Sequence, residues 1–355
     1  MSFLKKIFGG KDEAPKTSKG FKAYTVTGID RLTKEAVKIN LAAQDGSVPS
    51  FKAGQYVNIE LAIDGKKVRR AYSICNGEDE GLAIGVKEVP GGLMSSYLNQ
   101  QLKSGATVDV SAAEGSFTLR EGKHFVAFAA GSGITPILSI AKKIEQEGKN
   151  LRLFYGNRSE ESILFKSTLD ALTQTTKTYF LSQESKEGYE NRRLDKTSIT
   201  EMIKADLSLL KADGFYLCGP EDLIHEAKDT LQFFGVSSDK IHYELFKTPV
   251  VATEKIPAKS FEGTTKLTVI LDKEKTELTF TSKDNNLLYV IENDGLDAPY
   301  SCRGGVCCSC KAKVLSGSAE MKLNFSLTDE EVAEGYILTC QATPSSEELT
   351  ISFDA

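Results

Sequence analysis

The stretch Tyr300-Ser301-Cys302-Arg303-Gly304-Gly305-Val306-Cys307-Cys308-Ser309-Cys310 determines how the last third of the chain is read. Its cysteines follow the spacing C-x4-C-x2-C, and Cys340 adds a fourth thiol from a distant segment. This spacing is the plant-type pattern for a [2Fe–2S] cluster, and the glycine pair lets the loop bend close to an inorganic core. We therefore expect the metal ligands to be Cys302, Cys307, Cys310 and Cys340. Cys308 lies between ligands and is expected not to bind.

Three other readings of these cysteines are weaker. Structural zinc sites usually pair two short Cys or His knuckles, whereas the fourth cysteine here stands alone. A Rieske centre needs two histidines, and this region of the sequence contains none. Four buried thiols without a metal would have to reach this spacing by chance.

Length and composition indicate an ordinary globular protein of two or three domains. The chain has 355 residues, of which 40% are hydrophobic and 26% charged. An iron–sulfur site and free thiols predict a reducing compartment, here the cytoplasm. The segment Met1–Phe8 is too short and too rich in lysine for a signal peptide, and no apolar run reaches transmembrane length. It is expected to be either a frayed tail or a short basic segment on a membrane surface.

The net charge of −5 is unevenly distributed along the chain. Residues 264–355 carry 8 Lys and Arg against 15 Asp and Glu, so this part is at −7 and the remainder at +2. An acidic module of this kind either steers toward a basic protein partner or is a solvated acidic surface. We expect no nucleic-acid partner.

The spacing of apolar residues predicts a multidomain chain. Residues 1–20 read as a flexible tail. Residues 21–122 contain six short strand-like segments and one helix near Met94–Leu102, which predicts an antiparallel β-barrel. Residues 123–248 alternate strands with helices, among them Glu160–Leu172, which predicts an α/β parallel sheet covered on both faces. Residues 249–263 read as a linker, and residues 264–355 return to strands with one helix.

Two motifs in the barrel predict an FAD site. In Arg70-Ala71-Tyr72-Ser73, an arginine offers charge to a pyrophosphate and a tyrosine offers a flat face and a hydroxyl. In Gly91-Gly92-Leu93-Met94-Ser95, glycines open a helix, so free N–H groups face an anion. Taken alone, the first motif could be surface decoration on a strand, and the second could be an ordinary turn with a serine cap.

A glycine-rich turn in the α/β region predicts a nucleotide site. Gly131-Ser132-Gly133-Ile134-Thr135-Pro136 follows a strand and opens a helix, with Pro136 suited to the first turn. The next strand ends at Arg158 and Ser159, and Arg192 and Arg193 follow further on. Because arginine at such a position suits a 2′-phosphate, we expect NADPH, with NADH as the alternative. Arg158 could instead pair with Glu160 or Glu161.

The motif Cys218-Gly219-Pro220 closes the fourth strand of this sheet at its carboxyl end, where ligands bind. Cys218 is expected to touch the nicotinamide, or else to be a small buried residue.

Taken together, these motifs resemble the ferredoxin–NADP reductase superfamily with a fused C-terminal plant-type ferredoxin of β-grasp fold. The domain order resembles the reductase subunits of multicomponent oxygenases, and the run Tyr155-Gly156-Asn157-Arg158-Ser159 resembles the reductases of phenylacetyl-CoA epoxidases. The resemblance implies that FAD is held by Arg70, Tyr72, Ser73, Gly92, Met94 and Ser95. It implies that the nucleotide is held by Gly131, Gly133, Thr135, Pro136, Arg158, Ser159, Arg193, Cys218 and Gly219.

The same resemblance implies that Phe246 stacks on the flavin and that Thr135 and Cys218 lie at the reacting atoms. It further implies an oxidoreductase that passes hydride from NAD(P)H to FAD, and then single electrons through the [2Fe–2S] cluster to an acceptor protein. Phenylacetyl-CoA epoxidase is the expected acceptor. A desaturase, a ring-hydroxylating oxygenase and a hybrid-cluster protein remain alternatives, as does a redox sensor without turnover.

Overall fold

The computed structural model describes Ser18, residues 20–246 and residues 263–355. The predicted tail and linker therefore lie almost wholly outside the described residues, and the domain boundaries stay predictions. Three separate sheets build the described part, with a further two-stranded ribbon. No helix of this part is long and apolar enough to cross a membrane.

The first unit is an antiparallel six-stranded barrel. Its strands run in the order β4-β3-β6-β1-β2-β5, and a bridge between Ile74 and Ile84 joins the two ends. Branched aliphatic side chains fill the interior, because alternate residues of each strand face it. The elements are β1 Phe21–Thr33, β2 Ala36–Ala43, β3 Tyr56–Ile63, β4 Lys66–Ser73, β5 Leu82–Lys87, α1 Leu93–Gln100 and β6 Thr107–Ser111. The predicted barrel is confirmed.

The second unit is a five-stranded parallel sheet in the order β11-β10-β7-β8-β9, with α2 and α3 on one face and α4 and α5 on the other. The strands are β7 His124–Ala130, β8 Asn150–Asn157, β9 Thr175–Leu181, β10 Gly214–Cys218 and β11 Ile241–Glu244. The helices are α2 Ile134–Gln146, α3 Lys166–Ala171, α4 Lys196–Ala205 and α5 Glu221–Phe233. The strand order reverses between β7 and β10, so the ligand crevice lies at their carboxyl ends.

The predicted helix over Glu160–Leu172 is interrupted. A 3-10 turn covers Glu160–Ser162, and α3 begins only at Lys166 because Phe165 has a φ of +58°. Three consecutive apolar side chains, Ile163, Leu164 and Phe165, are all buried here. A regular helix cannot turn three successive side chains to one face, so the chain breaks to bury them.

The third unit has the β-grasp arrangement. Its five-stranded sheet runs β13-β12-β18-β14-β16, with β12 and β18 parallel, and α6 packs on one face. The elements are β12 Thr265–Leu271, β13 Glu274–Phe280, α6 Leu287–Asn293, β14 Lys311–Ser316, β15 Ala319–Met321, α7 Asp329–Ala333, β16 Tyr336–Leu338, β17 Ala342–Pro344 and β18 Glu348–Ser352. The sequence pattern did not indicate β14, β15, β17 or α7, which are short or rich in charged residues.

Candidate redox site

One cavity of about 340 Å³ lies where the three units meet. The barrel, the glycine-rich turn of the parallel sheet, the end of β11 and the cysteine loop all contribute to its wall. Its lining residues are Tyr56, Arg70, Ala71, Tyr72, Ser73, Gly85, Lys87, Val89, Gly92, Leu93, Met94, Ser95, Ser132, Thr135, Glu244, Leu245, Phe246, Cys302, Val306 and Cys307.

The barrel contributes all six residues that the sequence analysis expected to hold FAD, and Phe246 reaches the same cavity from the end of β11. Arg70 is exposed at the end of β4, next to Tyr72 and Ser73. At the start of α1, the Ser95 hydroxyl accepts a hydrogen bond from the Val89 N–H at 3.1 Å. This bond fixes the turn that opens the helix. A cationic side chain, an aromatic face and a helix start therefore surround one cavity, which suits an anionic flavin nucleotide.

The glycine-rich turn packs tightly against the neighbouring strand. A Cβ atom on Gly133 would lie 2.0 Å from the carbonyl oxygen of Cys218, so only glycine fits. The Thr135 hydroxyl donates to the Ser132 carbonyl at 2.9 Å, and both residues line the cavity. The turn itself is a 3-10 helix over Gly131–Gly133 that leads directly into α2.

Several predicted nucleotide residues lie outside this cavity. The Cys218 side chain is completely buried, and its backbone rather than its thiol faces the glycine turn. Arg158 is exposed at the end of β8, while Glu160 and Glu161 pair with Lys186 and Lys34 instead of with it. Other predicted residues lie around the same carboxyl edge of the sheet: Pro136 in the first turn of α2, Ser159 after β8, Gly219 after β10, and Arg193, which is 3.7 Å from Asp222.

Glu244 is the main residue that the sequence analysis missed. It ends β11, lines the cavity, and accepts a hydrogen bond from the Ser73 hydroxyl at 3.2 Å. Burial raises the pKa of this carboxyl to about 8, although the cavity leaves part of it open. The sequence signal was weak: Glu244 stands at the end of the last strand of the sheet, near the edge where ligands bind. Lys87, Ser132 and Tyr56 were also missed.

The four predicted ligand cysteines are arranged as two pairs. Cys302 and Cys307 lie side by side, with the Cys302 N–H 3.4 Å from the Cys307 sulfur, and Cys310 lies beside Cys340. N–H groups of Gly304 and Val306 lie 3.3 and 3.5 Å from the Cys302 sulfur. The neighbouring Cys307 thiol, together with these N–H groups, lowers the pKa of Cys302 below the usual value for a cysteine.

This donor set fits a two-iron cluster. No three His, Cys, Asp or Glu side chains in the described part of the chain form a single-ion site, whereas two thiol pairs can each serve one iron. Backbone N–H groups aimed at sulfur stabilise the negative charge of a thiolate-bound cluster. Cys308 lies on the same loop with a φ of +55° and belongs to neither pair.

Comparison with protein families assigns each unit. The family model described as an oxidoreductase FAD-binding domain matches residues 24–119. The oxidoreductase NAD-binding domain matches residues 128–229, and the 2Fe-2S iron-sulfur cluster binding domain matches residues 269–345.

Whole proteins with all three parts are similar to this chain. One subunit of the 1,2-phenylacetyl-CoA epoxidase of Escherichia coli (strain K12) is 32% identical over 351 residues, covering 94% of this chain and 98% of that protein. The ferredoxin reductase component of the 3-ketosteroid-9-alpha-monooxygenase of Rhodococcus rhodochrous is 30% identical, covering 93% and 96%. The structure of phthalate dioxygenase reductase, at 25% identity, superposes with a TM-score of 0.59 over 94% of this chain and 98% of that one.

The matches to these relatives span all three units of this chain and almost the whole length of each relative. The chain therefore belongs to the family of oxygenase reductases built from FAD-binding, NAD-binding and 2Fe–2S domains, and it is an electron-transferring NAD(P)H-dependent flavin iron–sulfur oxidoreductase.

Proposed function

We propose that this reductase takes its electrons from NADPH and delivers them to a phenylacetyl-CoA epoxidase in the cytoplasm. The electron path is supported mainly by one observation. The flavin motif, the glycine-rich turn and two ligand cysteines all line the same cavity. The named acceptor is supported by the relative that covers almost all of both chains. Free thiols and an iron–sulfur module support a reducing compartment.

In this proposal, the barrel side of the cavity holds FAD. Arg70 and the helix start at Gly92 and Ser95 face the pyrophosphate, because positive charge and free N–H groups both attract an anion. Tyr72 and Met94 supply the apolar wall for the flavin ring. Phe246 lines the opposite side and is 41% exposed, so its ring would cover the flavin from the side of the parallel sheet.

The nucleotide approaches from the carboxyl edge of the parallel sheet. Gly131 has open space beside it, which leaves room for a phosphate, and Gly133 lets the turn pack against Cys218. Thr135 faces the cavity where the nicotinamide would meet the flavin. Gly219 packs closely against Ala130 on the other side of the crevice. Arg158, with Ser159 and Arg193 near it on this edge, would bind the 2′-phosphate that distinguishes NADPH from NADH.

The bound groups supply the redox chemistry: the flavin accepts a hydride as an electron pair, and the cluster carries electrons singly. The protein would fix the positions of the bound groups and provide a carboxyl that can hold a proton. Ser73 and the carboxyl of Glu244 lie together at the cavity wall, and Glu244 retains its proton near neutral pH because its pKa is about 8. Cys302 and Cys307 bring one thiol pair to the same cavity, while Cys310 and Cys340 hold the second pair deeper in the module.

An anaerobic absorption spectrum before and after addition of nucleotide tests the electron path. We expect flavin and iron–sulfur bands that both bleach faster with NADPH than with NADH. Equal or faster bleaching with NADH would reject the NADPH assignment. Cofactors that bind but support no steady-state reduction of cytochrome c would favour the redox sensor.

A reconstitution assay tests the acceptor. The purified oxygenase component of a phenylacetyl-CoA epoxidase should form epoxide when this protein and NADPH are added, and the control is a ring-hydroxylating oxygenase component. Product with the control alone would overturn the epoxidase assignment and leave the electron path intact.

A further inference from the structure

Tyr56 touches both the flavin cavity and the cysteine loop. It lies at the start of β3 in the barrel, lines the cavity, and is only 6% exposed. Its hydroxyl donates a hydrogen bond to the backbone carbonyl of Cys307, which belongs to a different unit. One side chain therefore connects the wall of the flavin cavity to a residue that binds the cluster.

A polar network holds this contact in place. The Ser309 hydroxyl donates to Glu114 Oε2 at 2.8 Å and lies 3.2 Å from the Tyr56 hydroxyl. Asn58 donates to the other oxygen of Glu114 at 3.1 Å. The carboxylate therefore binds the cysteine loop through Ser309 while the barrel fixes the carboxylate itself. Tyr56 and Asn58 are buried, whereas Glu114 and Ser309 are half-buried, so the network ties the cysteine loop to the barrel at the edge of the cavity.

The backbone also fixes Tyr56 against Glu114. The two residues exchange N–H to carbonyl hydrogen bonds of 3.0 and 2.9 Å as an isolated antiparallel bridge. Gly115 follows with a φ of +106°, and a Cβ atom there would lie 3.0 Å from the Tyr56 ring. The bridge sets the register of the two side chains, and the glycine makes the space for the ring. These features give Tyr56 little freedom to move.

We propose that Tyr56 is a positioning residue that, together with Glu114 and Ser309, sets the cysteine loop against the flavin cavity and so governs the flavin-to-cluster electron step. This inference rests on the proposed function. The step transfers one electron from reduced flavin to one ferric ion of the cluster, which becomes ferrous. Tyr56 is neither oxidised nor deprotonated, and no bond to it forms or breaks.

Tyr56→Phe is the decisive variant, because it keeps the ring and removes only the hydroxyl. Tyr179→Phe is the matched control, since the Tyr179 hydroxyl also bonds a carboxylate, Asp170, at 2.7 Å but within the nucleotide-binding unit. Anaerobic stopped-flow mixing with NADPH would follow flavin and iron–sulfur bands separately. We expect the internal electron step to slow severalfold in Tyr56→Phe, because the rate of electron transfer falls steeply as the distance between the two redox groups grows. Hydride transfer to the flavin should be unchanged in Tyr179→Phe, and in Tyr56→Phe it should slow much less than the internal electron step does.

Hydrogen exchange provides a readout that does not depend on activity. Amides of residues 302–310 should exchange faster in Tyr56→Phe and in Ser309→Ala, with unchanged iron and flavin content. An unchanged internal rate together with unchanged exchange would refute the proposal, as would equal slowing of both electron steps, which indicates a general structural defect. If NADPH reduced neither group in the unaltered protein, the proposed function would fail, whereas the exchange result would still report on the Tyr56 contact.

If Tyr56→Phe does not accumulate as folded protein, Glu114→Gln replaces it. This variant retains a hydrogen-bond acceptor for Ser309 and removes the charge. It should slow the internal step less than Ser309→Ala does, because the loop contact is weakened and not lost. If Glu114→Gln slowed the internal electron step more than Ser309→Ala does, the proposed role of this network would be wrong.

Discussion

The hydroxyl of Ser73 donates a hydrogen bond of 3.2 Å to Glu244 Oε2 across the junction between β4 of the barrel and β11 of the parallel sheet. This contact joins the flavin-binding motif to the last strand of the nucleotide-binding unit. It lies in the wall of the shared cavity, so the relative position of the two units determines the environment of the carboxyl. The raised pKa of Glu244 is a consequence of that junction.

Glu244→Gln should change the pH dependence of stability. The pKa of Glu244 is about 8 in the folded protein, against about 4.5 when the chain is unfolded. Between these values only the folded state holds the proton, so its stability falls as pH rises, by at most about 1.4 kcal/mol per pH unit. Thermal unfolding should be followed from pH 5 to 8 with FAD and the cluster bound. The decline in Tm with rising pH should be shallower for Glu244→Gln than for the unaltered protein.

The control for this prediction is Glu161→Gln, which alters a carboxylate that is 85% exposed. Its Tm should follow the profile of the unaltered protein. Parallel profiles for all three proteins would show that the carboxyl of Glu244 titrates in the ordinary range for glutamate.

Gly133→Ala should damage the nucleotide crevice through a steric clash alone. Gly133 has an ordinary φ of −60°, so alanine meets no backbone strain there, but its Cβ would lie 2.0 Å from the Cys218 carbonyl oxygen. Forcing extra volume into a packed site costs about 1–3 kcal/mol. We expect a lower Tm and a fall in kcat/KM for NADPH.

Gly148→Ala gives the opposite case, with a positive φ of +62° and no atom within 4 Å of the new Cβ. It should cost about 1 kcal/mol of stability. Its kcat/KM should not change. Equal kinetic effects from both alanine variants would mean that the crevice is not held by the contact between Gly133 and Cys218.

Short-range patterns were sufficient to predict much of this molecule. The cysteine spacing identified the iron–sulfur module because its chemistry fixes the separation of three ligands on one loop. The barrel and the parallel sheet followed from alternating and continuous apolar runs, which report directly on how many faces of a strand are buried.

Contacts between distant segments could not be read in this way. Glu244 looks like an ordinary acidic residue at a strand end until β11 is placed beside the flavin motif. The pairing of Tyr56 with Glu114 likewise depends on the closure of the barrel. Three-residue strands such as β15 and β17 are too short to show a period of two.

Arg69→Ala should weaken the attachment of the iron–sulfur module to the barrel. Arg69 is buried, donates to Glu60 Oε2 at 2.7 and 2.9 Å, and lies 4.6 Å from the centre of the Tyr300 ring in the module. Removing one partner of a buried ion pair costs about 3–5 kcal/mol, because the other charge stays buried. Lys67, 3.2 Å from the same carboxylate, should keep the loss near the lower limit. The Tm of the protein with FAD and the cluster bound measures this loss of stability.

The double variant Glu60→Gln with Arg69→Met separates charge from packing. It leaves no buried unpaired charge and keeps the volume beside Tyr300, so its Tm should lie above that of Arg69→Ala. If the double variant is the less stable of the two, the ion pair itself contributes more than the burial of an isolated Glu60 costs.

Arg158→Ala should reverse the choice of nucleotide. Arg158 is exposed at the carboxyl end of β8, and Gln183 donates its N–H to the Arg158 carbonyl at 2.9 Å, which fixes the backbone at this point. A hydrogen bond to a charged group contributes about 1.5–3 kcal/mol, so losing one to the 2′-phosphate should lower kcat/KM for NADPH by about 10- to 100-fold. NADH lacks that phosphate, and its kcat/KM should stay within about twofold.

Arg192→Ala is the matched control, because the Arg192 guanidinium already bonds Glu190 and Glu201, so both nucleotides should keep their rates. If Arg158→Ala slowed NADPH and NADH equally, the side chain would act on a part that the two nucleotides share, and the 2′-phosphate would have to be bound elsewhere along the edge of the sheet.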